Sequence, residues 1–194
     1  MLTKATQDIS DQAILLFEAA CDELGAKPAD LAAVMYAESG WYATAHNPNG
    51  DASGVFQAMP ATLRGLGFRP ELDPDQRAAA FRALSCTGQM PWLRRYYMPY
   101  RGKLGSVAAC YLATFLPAEV DHWDHPTYLL AAKGGFRSAV YTANAAFDSN
   151  GDLRIEVSEL GDAVRRATVG PRWQELLGRL GVPALAGGGL PGPA

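Results

Sequence analysis

Apolar residues recur at helical spacing through most of this chain. Over 9–24, Ile14, Leu15, Ala19 and Leu24 mark a helix that Gly25 closes, and Pro28-Ala29-Asp30 opens a second whose apolar positions include Leu31, Val34 and Met35. Asp73-Pro74-Asp75 begins a third, which continues through Leu84, and a fourth starts at Gln89 and runs to Tyr97 with Pro91 near its start. Residues 106–115 leave little polar surface, so the pattern predicts a buried helix there that Pro117 stops. Two further helices are expected over 138–147 and 157–166, joined by an acidic loop. These elements predict an all-α fold in one domain over residues 1–182, followed by a disordered Gly/Pro tail at 183–194.

Glu38 departs from this helical pattern. It stands at i+7 from Leu31 on the face that Val34 and Met35 turn toward the core, where a carboxyl loses part of its hydration. Desolvation disfavours the ionised form and keeps a proton available for donation, which is what a general acid requires. The bland reading is a surface glutamate in a last helical turn. Beyond it, Asn47-Pro48-Asn49-Gly50-Asp51-Ala52-Ser53-Gly54 is rich in turn residues and Pro60 suits the first turn of a new helix. Residues 54–59 are therefore expected to cross above Glu38 and line a cleft.

Three motifs now carry a resemblance: Glu38-Ser39; Gly54-Val55-Phe56-Gln57 with Met59-Pro60-Ala61-Thr62; and Ala109-Cys110-Tyr111-Leu112. Over roughly residues 28–145 the chain resembles the lytic transglycosylases of the soluble, goose-type-lysozyme-like superfamily. Leu112 departs from the asparagine usual there, and Tyr111-Leu112-Ala113-Thr114 looks like the variant of phage-encoded members. The resemblance implies a lysozyme-like helical fold and cleavage of peptidoglycan between MurNAc and GlcNAc, with formation of 1,6-anhydroMurNAc. It makes Glu38 the single acid and base, with Ser39, Gln57 and Met59 at the substrate and Tyr111 orienting Glu38. Trp41 and Phe56 are added as flat apolar faces able to stack on sugar rings. Phage endolysin or virion-associated lysin is the biological setting it implies, with peptidoglycan strands and phage particle proteins as partners. A hydrolytic muramidase of the same fold is the alternative enzyme, with Asp51 as the nearest second carboxylate, since most glycosidases use two. A non-catalytic, calcium-stabilised wall-binding or phage structural protein is the alternative outside enzymes.

An independent pattern lies at residues 148–159. Asp148, Asn150 and Asp152 fall at positions one, three and five of a twelve-residue EF-hand calcium loop, the Arg154 carbonyl at seven, Glu156 at nine and Glu159 at twelve. Ile155 is expected to anchor the loop to the core, and four carboxylates so close together repel one another without a cation. Leu153 occupies position six, where glycine normally relieves a left-handed turn. A plain inter-helix turn built on Asn150-Gly151 is the competing reading. A lone EF-hand also occurs in some lytic transglycosylases, so the expected cofactor is structural Ca2+.

Composition narrows the function classes. With 48% hydrophobic and 19% charged residues the 194-residue chain has the make-up of a soluble globular protein, and a net charge of −3 without a basic tract argues against nucleic-acid binding. No apolar run is long enough to span a bilayer, and the first residues lack the pattern of a signal peptide, so synthesis in the cytoplasm and action on the cell wall by another route are expected. Cys21, Cys86 and Cys110 sit in apolar contexts and read as buried free thiols of a monomer. His122 and His125 lack the i, i+4 spacing of a helical zinc pair.

Overall fold

The computed structural model describes residues 9–47 and 50–182; the expected tail at 183–194 lies outside the described residues. The elements, numbered in chain order, are α1 Asp11–Leu24, α2 Pro28–Ser39, α3 Pro60–Gly65, α4 Pro74–Arg82, α5 Cys86–Tyr97, α6 Val107–Phe115, β1 Leu129–Ala132, α7 Ser138–Ala143, β2 Arg154–Glu156, α8 Val157–Ala167 and α9 Pro171–Arg179. Short 3₁₀ turns at Met98–Tyr100, Pro117–His122 and Ala145–Phe147 complete the order. The fold is all-α in character, as the helical spacing predicts. Among the described residues no helix is long and apolar enough to cross a membrane.

Local chemistry explains where the helices begin and end. Ser10 and Ser106 cap α1 and α6 by accepting from Ala13 and Ala109 N–H, and Gly25 ends α1 at φ 69°. α5 starts three residues before the expected Gln89, because Ser85 accepts from Gly88 N–H, which leaves Pro91 inside the helix. The expected helix over 138–147 stops at Ala143: Asn144 turns its side-chain amide back onto the Val140 carbonyl and takes φ −134°. The pattern did not foresee the β1/β2 pair or α9.

Two apolar clusters organise the packing. The larger one is built from α1, α2, α5 and α6 and receives Trp173, Leu176 and Leu177 of α9. α2 is buried at every residue from Leu31 to Met35, so this helix runs through the core rather than along its edge. The smaller cluster joins Leu112 of α6 to Leu130, Tyr141, Ile155 and Leu160. β1 pairs antiparallel with β2, Ala131 opposite Ile155, so the short strand leaving the acidic loop has its hydrogen-bonding edge covered. Cys21, Cys86 and Cys110 are buried thiols, none of them in a disulfide.

Candidate active site

α2 delivers Glu38 one residue before its end, where the helix emerges from the core. The side chain is half-buried, and loss of hydration raises the carboxyl above its ordinary range, opposed by a hydrogen bond from the Tyr111 hydroxyl of α6. Burial pushes the Tyr111 phenol up as well, reinforced by the Glu38 charge, so the phenol remains a donor. Tyr96 is pushed up to about 12 by burial, then by the charges of Tyr100 and Glu38. Glu38 thus sits among neutral aromatic hydroxyls in an apolar wall, an arrangement that holds a proton ready for transfer.

The segment 53–59 is fixed beside it by three polar anchors. Ser53 and Ala58 exchange backbone hydrogen bonds of 3.1 and 2.9 Å and form the base of a tight hairpin. At its tip, the Ser39 hydroxyl reaches the Val55 carbonyl at 2.8 Å and the Met35 carbonyl at 2.9 Å, while the Gln89 side-chain oxygen accepts from Val55 N–H at 2.8 Å. Gln89 is fully buried and spends its amide on the Ala43 and Phe81 carbonyls at 2.8 and 3.0 Å. Gly54 is obligatory here: it takes φ 77°, and a Cβ on it would stand 2.4 Å from the Gln89 oxygen and 2.6 Å from the Phe81 ring. Gln57 is left-handed at φ 44° and donates from its side chain to the Gly54 carbonyl at 3.0 Å.

Two of the expected stacking residues are not at the surface. Trp41 is fully buried with its ring edge-on to Phe17 at 4.9 Å, and Phe56 is 1% exposed between Phe81 and Tyr96. Both are core residues because flat apolar rings gain more from burial than from a wet cleft. Ser39 likewise commits its hydroxyl to the protein backbone, so it supports the cleft through the hairpin it fixes. Met59 is 44% exposed, beside a groove of about 650 Å³ that Pro60, Ala61, Arg64 and Pro74 also line. Asp51 is exposed on its turn at φ 56°. His122 stacks on Tyr128 at 3.8 Å. The pattern missed Gln89, although a lone amide between Cys86, Met90 and Leu93 on an apolar helix face was a readable signal.

The family model described as Transglycosylase SLT domain matches residues 15–117, from within α1 through α6, and so takes in Glu38, Gln57, Gln89 and Tyr111. The chain belongs to this family. Transglycosylase SLT proteins are peptidoglycan lytic transglycosylases, so the chain is an enzyme acting on cell-wall glycan. No curated relative and no solved structure matches it.

Beyond the part that the SLT match covers lies the acidic loop. Leu153 adopts φ 68°, the left-handed conformation that position six requires, and Ile155 is fully buried. The Asp148 carboxylate accepts from Gly151 and Leu153 N–H at 2.7 and 2.9 Å and from the Tyr141 hydroxyl at 2.8 Å. Glu159 accepts from Ser149 and Glu156 N–H at 2.8 and 3.0 Å and completes a reciprocal cap at the start of α8. Among the described residues no three His, Cys, Asp or Glu side chains converge as a metal cluster. The loop's carboxylates are therefore turned to its own backbone N–H groups.

Proposed function

We propose that this SLT-family enzyme cleaves the MurNAc-β-1,4-GlcNAc bond with Glu38 as its only acid and base. Glu38 first gives its proton to the glycosidic oxygen as the bond to MurNAc C1 breaks. The MurNAc C6 hydroxyl then attacks C1 and returns its proton to Glu38, leaving a 1,6-anhydro ring and a free GlcNAc 4-hydroxyl. The observation that carries this reading is the setting of Glu38: it is placed at the emerging end of a core helix, burial raises its proton affinity, and the Tyr111 hydroxyl steadies it. Asp51, the second carboxylate that a muramidase could use in place of a positioned water, stands on an exposed turn. Gln57, Met59 and the hairpin before them form the wall against which the glycan lies.

The setting we propose is a phage endolysin or virion-associated lysin, on the strength of the Tyr111-Leu112 variant. Leu112 is fully buried in the cluster formed with Leu130, Ile155 and Leu160, which gives the change from asparagine a packing reason. We further propose that Asp148, Asn150, Asp152, the Arg154 carbonyl, Glu156 and Glu159 hold a structural Ca2+. The left-handed Leu153 and the anchored Ile155 support it; binding requires the carboxylates to exchange some of their N–H partners for the ion.

Mass spectrometry of fragments released from purified peptidoglycan tests the reaction, with Glu38→Gln as control and borohydride reduction before analysis. Fragments one water lighter than hydrolysis products and inert to reduction are expected. Reducible, fully hydrated fragments would replace the transglycosylase with a muramidase, and no release by either protein would make the chain a wall-binding or structural component.

A further inference from the structure

The last turn of the helix that carries Glu38 is held by a part of the chain outside the SLT match. α2 ends on two consecutive left-handed residues, Gly40 at φ 62° and Trp41 at φ 61°. For a tryptophan this conformation is strained and persists only where its surroundings enforce it. The enforcement comes from α9. Arg172 donates from Nε to the Gly40 carbonyl at 2.8 Å and from Nη2 to the Trp41 carbonyl at 3.0 Å, with its guanidinium 3.9 Å over the Tyr42 ring. On the other side of Glu38, the Tyr36 hydroxyl donates to the Val169 carbonyl at 3.1 Å, and its ring packs on the buried Trp173 at 5.3 Å. Residues two before and two to four after Glu38 are therefore gripped by one short stretch, 169–173.

We propose that Arg172 is a positioning residue of the transglycosylase, acting through Gly40 and Trp41 on the placement of Glu38. Three properties suit an arginine to this. Its planar fork meets two carbonyls at once, its flat face stacks on Tyr42, and its fixed charge complements the negative end of α2. The Ser39 hydroxyl lies within the same turn and accepts from Trp41 N–H at 3.1 Å while it holds Val55. Loosening the turn thus displaces Glu38, while the hairpin stays held by Gln89 and by the Ser53–Ala58 hydrogen bonds. A displacement of that kind costs turnover rather than affinity, because a misplaced acid does not alter the rest of the glycan's contacts. The inference rests on Glu38 being the acid.

The test compares initial rates on peptidoglycan for wild type, Arg172→Ala, Arg172→Lys and Glu38→Gln, well below each protein's melting temperature. Arg172→Ala is expected to lower kcat roughly tenfold to a hundredfold with KM within about twofold. Guanidinium added at millimolar concentration is expected to restore part of that loss, a rescue that a merely destabilised protein would not show. Arg172→Lys, which meets only one carbonyl, falls between, and it carries the test if the alanine variant does not fold. Wild-type kcat in Arg172→Ala beside an inactive Glu38→Gln would overturn the role of Arg172 alone, as would a change confined to KM. A fully active Glu38→Gln would overturn the catalytic reading and the positioning role with it.

Discussion

Glu38 and Asp148 are both carboxyl groups that accept a hydrogen bond from a tyrosine hydroxyl, yet their proton affinities move in opposite directions. Around Glu38, burial raises the affinity and the Tyr111 bond recovers only part of the difference. Around Asp148, burial also pushes upward, but Tyr141 together with the backbone N–H groups of Gly151, Leu153 and Asp152 outweighs it and lowers the affinity. One phenol does not offset desolvation, whereas a phenol plus several backbone donors does. The SLT-matched part of the chain accordingly keeps a carboxyl that can hold a proton, and the part after it keeps one that stays charged. The same contrast runs through their supports. The Glu38 site is set by buried side chains such as Gln89; the acidic loop is set by its own backbone.

Substitutions that reverse either balance are ordered by expected size. Glu38→Gln should reduce fragment release at least about a hundredfold, because it removes the proton donor while preserving shape. Its stability effect has a definite sign. A carboxyl whose folded value is raised favours folding below its ordinary value of about 4.3, and that advantage disappears as pH rises through the raised value. The glutamine variant should therefore melt at or above the wild-type temperature at pH 7, with the gain gone by about pH 4; a lower melting temperature at pH 7 would contradict the burial of Glu38. Gly54→Ala is next: forcing a Cβ against Gln89 and Phe81 in a left-handed turn should cost about 2–3 kcal/mol in denaturant unfolding. Wild-type stability would mean that the hairpin is not held as described.

Tyr111→Phe should lower turnover about tenfold and shift the alkaline limb of the pH–rate profile upward. The lost hydrogen bond favoured the ionised form of Glu38, so without it the proton is retained to higher pH. A limb that moves downward would assign Tyr111 another role. The smallest effect concerns the loop: millimolar Ca2+ should raise the melting temperature by a few degrees, and Asp148→Ala with Glu159→Ala should abolish the increase. Identical melting with calcium and with chelator would leave the loop as a self-satisfied turn.

Much of the fold was legible because capping residues and apolar spacing act locally. Gly25, Pro28, Asp73 and Pro117 mark boundaries that the structure keeps within a residue or two. Glu38 could be singled out because a carboxyl in an apolar helical stretch is conspicuous, whereas Tyr111 was named through the family resemblance of its motif. What eluded the pattern depends on contacts distant in sequence. Trp41 and Phe56 stand in a loop that suggests a sugar platform, and only the packing of Phe17, Phe81 and Tyr96 shows that they are interior. β1 has no strand signature of its own, since it exists to cover the edge of Arg154–Glu156. Arg172 looks like any arginine in the first turn of a helix until the carbonyls of Gly40 and Trp41 come into view.

Phe147 is the residue immediately before Asp148, and its ring meets Tyr111 edge-on at 5.6 Å and Phe115 at 5.1 Å. The acidic loop and Glu38 are thus linked through one ring contact and one hydrogen bond, Phe147 to Tyr111 and Tyr111 to Glu38, and Asp148 shares a peptide bond with Phe147. Phe147 therefore joins the start of the acidic loop to the tyrosine whose hydroxyl donates to Glu38, so the two regions share one stretch of packed aromatic surface.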